Sequence, residues 1–165
     1  MKGYLRAVTK ADMDLLFQWA NEPLVRQNSF STKEISYEDH KKWFENLMMA
    51  EDCRQYIYVY ENEDIGQVRI KVNGEIAEIS YSICAQKRGQ GHGKMILQFI
   101  CEQVKNEFPM VQKLTGQVKP DNIASQAAFK DVGFEEKCYV YELTFNKFVK
   151  KEYSENVGEG IIPNQ

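Results

Sequence analysis

The spacing of hydrophobic positions changes several times along this chain, and each change marks an element. Tyr4 to Val8 reads as a short opening strand. Thr9 and Asp12 then stand at capping-box spacing, and Met13, Leu16 and Ala20 recur on one helical face that Leu15 and Trp19 widen. Asn21 and Pro23 end that helix. Ser36 and Asp39 repeat the capping signal, and His40, Trp43, Phe44, Leu47 and Met48 follow at helical spacing, which gives the aromatic residues an immediate packing use. The two early helices are expected to form one wall of a cleft.

The period then falls to two. Gln55 to Glu61 carries Tyr56, Ile57, Tyr58, Val59 and Tyr60, stiff and aromatic side chains that favour a strand. Asn62-Glu63-Asp64 reads as a connection, Ile65 to Val72 as the returning partner, and Asn73-Gly74 as a tight hairpin turn before a strand over Glu75 to Cys84. Alternation sets Glu78, Ser80 and Ser82 on one face of that strand and Ile79, Tyr81 and Ile83 on the other. After the glycine-rich stretch from Gly89 to Gly93, a helical stripe runs through Met95, Ile96, Phe99, Ile100 and Val104. Val111 to Val118 suggests another strand, Asn122 to Asp131 a short helix closed by Gly133, and Phe134 to Leu143 an apolar final strand. The predicted class is α+β, with a mixed, mostly antiparallel central sheet and flanking helices. Residues 1–148 form one expected domain and 149–165 a polar C-terminal tail.

Composition narrows the functions. The 165 residues suit one domain with a sizeable core, so chemistry and recognition share it. A net charge of −3, from 21 basic and 24 acidic residues, gives no general electrostatic ground for a nucleic-acid partner. Cys53, Cys84, Cys101 and Cys138 make no CxxC pair, and His40 and His92 are the sole histidines, so no metal site is expected and the thiols read as free. Without a leader-like or membrane-spanning run, the expectation is a cytoplasmic protein with no integral membrane association.

The candidate chemistry lies in Arg88-Gly89-Gln90-Gly91-His92-Gly93-Lys94, between a strand and a helix. Glycines let anionic oxygens approach main-chain N–H groups, the following helix adds its unpaired N–H groups, and Arg88 and Lys94 add charge at the rim. The spacing is not that of a Walker A loop, and no opening βαβ unit supports a dinucleotide fold. By physical reading alone, phosphate contact and a merely structural tight loop both stay open.

With Asn122, Ser125, Phe129 and Gly133-Phe134 downstream, that loop resembles the R/Q-x-x-G-x-G/A motif of the GCN5-related N-acetyltransferase family, and the likeness covers about residues 3 to 145. The resemblance implies acetyl-CoA as cofactor, its phosphates at Arg88, Gly89, Gln90, Gly91, His92, Gly93 and Lys94. It also implies a splay between the fourth and fifth strands, with the pantetheine arm along Tyr81, Ser82, Ile83 and Cys84. Asn122, Ser125 and Phe129 would line the far side.

The Ala77-Glu78-Ile79 segment resembles the catalytic strand of histone-type members, which implies Glu78 as the base acting on the amine proton. The alternative for Glu78 is a solvated surface carboxylate. Tyr139 is the expected general acid, with Tyr141 and Tyr81 behind it. Gln117 and Phe129 stand where a protein-N-terminal acetylating subgroup has a glutamate and a tyrosine, so that subgroup's proton pathway is not inherited. Trp19, Asn21, Val25, Arg26, His40 and Trp43 resemble the substrate side of bacterial nucleotide-activated amino-sugar N-acetyltransferases of surface-glycan synthesis, which commonly self-associate. That likeness implies a nucleotide-linked amino sugar as the small-molecule partner, with Trp19, Arg26, His40 and Trp43 contacting it, and a homodimer. A protein or peptide amine, a small amine or antibiotic, and a noncatalytic acyl-CoA-binding regulatory module are the alternatives.

Overall fold

The computed structural model describes residues 3–137. Five strands form one sheet in the order β1 (Gly3–Ala7), β2 (Cys53–Tyr60), β3 (Glu63–Asn73), β4 (Ile76–Ile83) and β5 (Lys113–Thr115). The first four pair antiparallel and β5 joins β4 in parallel. Around them lie α1 (Met13–Ala20), α2 (Pro23–Asn28), α3 (Tyr37–Met49), α4 (His92–Glu107) and α5 (Ile123–Val132). This is the α+β architecture expected, with its mixed, mostly antiparallel sheet.

The alternation in the central strands makes the two sheet faces chemically different. Tyr56, Tyr58, Val68, Ile70, Ala77, Ile79 and Ile83 pack under Ile96, Leu97, Ile100 and Val104 of α4 and Phe129 of α5. On the opposite face, Ile57 and Val59 meet Leu16 of α1 and Phe44 and Leu47 of α3. That second face is only partly covered. Gln55, Gln67, Arg69, Glu78, Ser80 and Ser82 occupy its remainder and line a cleft.

Local signals explain most boundaries. Glu61 and Asn62, at φ 50° and 66°, turn β2 into β3, and Gly74 at φ 59° turns β3 into β4. The Asp12 carboxylate accepts from the Thr9 N–H at 2.7 Å and from the Arg6 guanidinium at 2.7 and 2.9 Å, fastening β1 to the single 3-10 turn before α1. These donors pull the Asp12 carboxyl down to about 2, the Arg6 bond being the largest cause. Ser36 caps α3 by accepting from the Asp39 N–H at 3.1 Å.

Three expectations need correction. The stretch after Asn21 is not a simple interruption: Pro23 opens the six-residue α2, capped by the Glu22 side chain, which accepts from the Val25 N–H at 3.1 Å. The strand expected over Val111–Val118 shrinks to Lys113–Thr115, because the chain turns away from β4 after Thr115. Phe134 to Lys137 leave α5 without strand pairing, and the rest of the expected Phe134–Leu143 strand lies outside the described residues, as do Cys138 and Tyr141.

Candidate active site

The shortness of β5 creates the site. Its pairing with β4 runs from Ile76↔Lys113 to Glu78↔Thr115 and stops, while β4 continues to Ile83. From Ile79 onward β4 therefore has an edge with no β5 partner, facing a cleft of about 760 Å³. Among the described residues, backbone polar groups on such an edge lack a strand partner and can meet a ligand, apart from the Ile83 carbonyl, which accepts from Arg88.

β4 leads through a short turn into the glycine loop. Gly89 and Gly91 hold φ of 72° and 84°, values that side-chain-bearing residues rarely adopt, and a Cβ at either would meet nothing within 4 Å. Gly91 caps α4 with no side chain bonded to the first-turn N–H groups, which leaves those donors pointing out of the helix end. Gly93 serves packing instead: a Cβ there would lie 3.2 Å from the Tyr81 hydroxyl.

The loop's charged side chains are partly committed. Arg88 donates from Nε to the Ile83 carbonyl at 2.9 Å and from Nη2 to Glu22 Oε2 at 2.5 Å, so it ties the loop both to β4 and to the cap of α2. Arg88 in turn holds the Glu22 carboxyl below its ordinary range. Lys87 pairs with Glu63 at 2.6 Å, and Lys94 stands 3.9 Å from Asp131. His92 lines the cleft, while its ring packs among aromatic residues. It sits one turn before Ile96 on the buried stripe of α4, 5% exposed, against Tyr58 and Tyr60, and burial lowers its pKa.

Other cofactor-side residues divide. Tyr81, Ser82, Ile83, Arg88, Gly89, Gly91, Gly93, Lys94, Asn122, Ser125 and Phe129 line the cleft. Cys84 instead packs against the core, and Gln90 turns back to donate to the Gln86 carbonyl at 3.1 Å. Asn122 caps α5, accepting from the Ser125 N–H at 3.2 Å. The Phe129 ring lies over Gly116, where a Cβ would come within 2.4 Å of it, and 5.9 Å from the Tyr81 ring. Burial raises the Tyr81 phenol pKa, with a Ser125 hydrogen bond opposing the shift, so the hydroxyl keeps its proton at neutral pH.

Glu78 is the last β4 residue paired with β5, exposed at the point where the strands part. On the same floor, Gln55 donates its amide to the Gln67 side-chain oxygen, and Gln67 donates to Ser82 Oγ at 3.0 Å. Gln55 Oε1 is buried and unpaired at the far end of this chain. The Arg69 guanidinium stands 6.0 Å from the centre of the Trp43 ring.

The acceptor wall departs from expectation at three positions. His40 lines the cleft but is 2% exposed, and its Nε2, 2.9 Å from the Met13 carbonyl, also ties α3 to α1. Trp19 packs in the α1–α3 cluster outside the cleft lining. Arg26 lines the cleft but spends its terminal nitrogens on Ser31 O, Lys33 O and Ser29 Oγ, bracing the chain after α2, with Nε buried and unpaired. Trp43 lines the cleft. Tyr139, the expected acid, lies outside the described residues. Among the described residues no group of His, Cys, Asp and Glu side chains is placed to hold a metal, Cys53, Cys84 and Cys101 are free thiols, and no helix is long and apolar enough to cross a membrane.

Residues 4–135 match the family model described as an acetyltransferase (GNAT) domain. No curated protein matches the sequence significantly. Among solved structures, a spermidine N-acetyltransferase from Vibrio cholerae with CoA and spermine is similar at TM-score 0.76 and 16% identity, over 84% of each chain. The aminoglycoside acetyltransferase AAC(6')-Ib with coenzyme A and kanamycin gives TM-score 0.71 and 20% identity over 82% of this chain and 85% of that one. RimL, a ribosomal L7/L12 alpha-N-protein acetyltransferase in complex with coenzyme A, gives TM-score 0.71 and 20% identity over 81% and 80%. At these identities the likeness is one of fold.

Proposed function

Because the chain belongs to the acetyltransferase (GNAT) family, we propose that its cleft passes an acetyl group directly to a primary amine carried by a peptide or protein. The chain is an acetyl-CoA-dependent N-acetyltransferase. The observation that carries the reading is the edge of β4 without a β5 partner, which starts just after Glu78 and leads through a short turn to the open glycine loop and the N-terminus of α4.

The residues present suit that cofactor. The N–H groups of Gly89 to Lys94 and the free donors of Arg88 hold its diphosphate. The β4 edge from Ile79 to Ile83 takes the pantetheine arm, and Asn122, Ser125 and Phe129 close the other side. Bound acetyl-CoA supplies an acetyl group activated as a thioester. Glu78 accepts the proton of the attacking amine, directly or through one water. Tyr81, a phenol that keeps its proton in the cofactor half, stands with Tyr139 as donor to the departing thiolate. Residues 1–148 make up the catalytic unit in this account, so truncation after 148 leaves turnover intact.

Charge separates the acceptors. The similar solved structures include enzymes bound to spermine and kanamycin, both polycations, and one named for protein α-amines. Among the described residues lining the acceptor half, Glu78 is the one carboxylate, too few for a polycation and enough for one reacting amine. A nucleotide-linked amino sugar is the second reading, favoured by the Trp43 ring with a guanidinium beside it.

The test is thiol release with N-terminal peptides, UDP-linked amino sugars and spermidine as acceptors. Peptide turnover is expected to dominate, and selective sugar turnover would replace this reading with the second. Glu78→Gln is expected to lower kcat by about 10²- to 10⁴-fold without changing acetyl-CoA affinity. Unchanged chemistry-limited turnover removes Glu78 from the mechanism.

A further inference from the structure

Among the described residues, Arg69 is set apart from the other arginines, each of which is hydrogen-bonded. Arg6 is held by Asp12 and Asp64, Arg26 by Ser29, Ser31 and Lys33, Arg54 by the Ala50 and Cys53 carbonyls, and Arg88 by Glu22 and Ile83. Among the described residues no hydrogen bond or ion pair engages the Arg69 guanidinium, which is half-buried in the cleft floor with the centre of the Trp43 ring 6.0 Å away. Strand register places it opposite Gln55 on β2 and Ser80 on β4, at the middle of the polar stripe.

A half-buried cation with its N–H groups unused is suited to an anion from outside. The guanidinium fork matches a carboxylate or phosphate with two parallel hydrogen bonds, and the Trp43 ring 6.0 Å away is within reach of a cation–π contact. Glu78 lies two residues from Ser80 on the neighbouring strand, diagonal to Arg69. Diagonal positions are about 7–8 Å apart, so an amine at Glu78 and an anion at Arg69 are separated by roughly two residues' length of extended ligand. A polyamine or aminoglycoside in the same place would set a second ammonium against the guanidinium.

We propose that Arg69 selects the acceptor: the substrate is an amine carrying a carboxylate or phosphate close to its reacting nitrogen, and polycationic amines are rejected. The inference rests on the acetyl-transfer reading and sharpens it. Two sources supply that chemistry, a peptide with an acidic residue beside its N-terminus and a nucleotide-linked amino sugar.

The experiment compares kcat/KM for two N-terminal tetrapeptides differing only in glutamate or glutamine at the second residue, for a UDP-linked amino sugar against the unlinked sugar, and for spermidine. The enzyme is expected to favour the anionic member of a pair by roughly 10- to 100-fold, the range of a charged hydrogen bond. In Arg69→Gln that ratio falls to within about threefold of unity, and Arg69→Glu turns preference toward spermidine; Arg69→Lys retains part of the ratio. Acetyl-CoA binding reports that each variant has folded. The glutamate peptide or the UDP sugar as the favoured anion identifies the source. A ratio near one in the unaltered enzyme, or a ratio that survives Arg69→Gln, overturns the proposal. Trp43 fluorescence supplies a reading independent of turnover. If no amine is acetylated yet these anions perturb Trp43 in the unaltered protein and not in Arg69→Gln, the anion site stands and the acetyl-transfer reading falls.

Discussion

Glu22 and Arg88 join the two halves of the cleft, and breaking that pair gives a measurable cost. The partners lie 66 residues apart in sequence, one capping α2 over the acceptor half and the other in the glycine loop. Each side chain is 27% exposed, so solvent screens the pair and its worth is about 0.5–1 kcal/mol. Glu22→Gln removes the charge and keeps an oxygen to cap α2, so it should cost about that much. Glu22→Ala also removes the cap, for about 1 kcal/mol more. At about 2–4 °C per kcal/mol for a chain of this size, the expected falls in Tm are about 1–4 °C and about 3–8 °C. Combining Glu22→Gln with Arg88→Gln in a double-mutant cycle, read by urea unfolding at pH 7, should give a coupling of about 0.5–1 kcal/mol. Because the folded Glu22 pKa is lowered from 4.5, the coupling is full above that value and disappears as pH falls through the folded pKa. Strictly additive single substitutions at pH 7 would refute the claim that the loop and α2 are fastened together.

Other consequences are separate from that pair. Gly116→Ala sets a methyl 2.4 Å from the Phe129 ring and is expected to destabilise by about 1–3 kcal/mol, measured by chemical unfolding. Asp12, held near 2 by Arg6 and the Thr9 N–H, contributes stability that is whole above its ordinary 3.8 and lost as pH falls through about 2; Asp12→Asn should flatten that part of the pH–stability profile. Gly91→Ala meets no protein atom, so its strain at φ 84° costs about 1–2 kcal/mol, while the methyl enters the phosphate cradle. Its acetyl-CoA affinity should therefore drop well beyond its change in Tm.

Elements with long periodic runs were legible in the sequence. The alternation of β2 to β4, the stripe of α4 and the capping serines and threonines all express local geometry that a sequence displays directly. The six-residue α2 was not legible: Glu22 is an uncommon cap, and Pro23 at the first helical position was the only signal, here read as an ending. For β5 the hydrophobic run Val111–Val118 was misleading in length, since its pairing depends on how far the chain stays beside β4.

Side chains engaged across long separations were also hidden. His92 carried a usable signal, because it precedes Ile96 and Ile100 at steps of four and so shares their buried face. Gln67 and Arg69 alternate with Val68 and Ile70, which assigns them to the polar face, but the chain from Gln55 through Gln67 to Ser82 depends on strand register. Arg26 and Trp19 show the opposite limit. A residue on a substrate-side segment is as readily used to brace that segment as to face the ligand.

Hydrogen exchange of the full-length chain with and without acetyl-CoA tests most directly whether the glycine loop and the unpaired β4 edge hold the cofactor. New protection is expected in the amides of Ile79 to Ile83 and of Gly89 to Lys94, with Gly3–Ala7 at the far edge of the sheet unaffected. Binding that leaves those two segments exchanging as before, or an absence of binding at millimolar acetyl-CoA, would contradict the account.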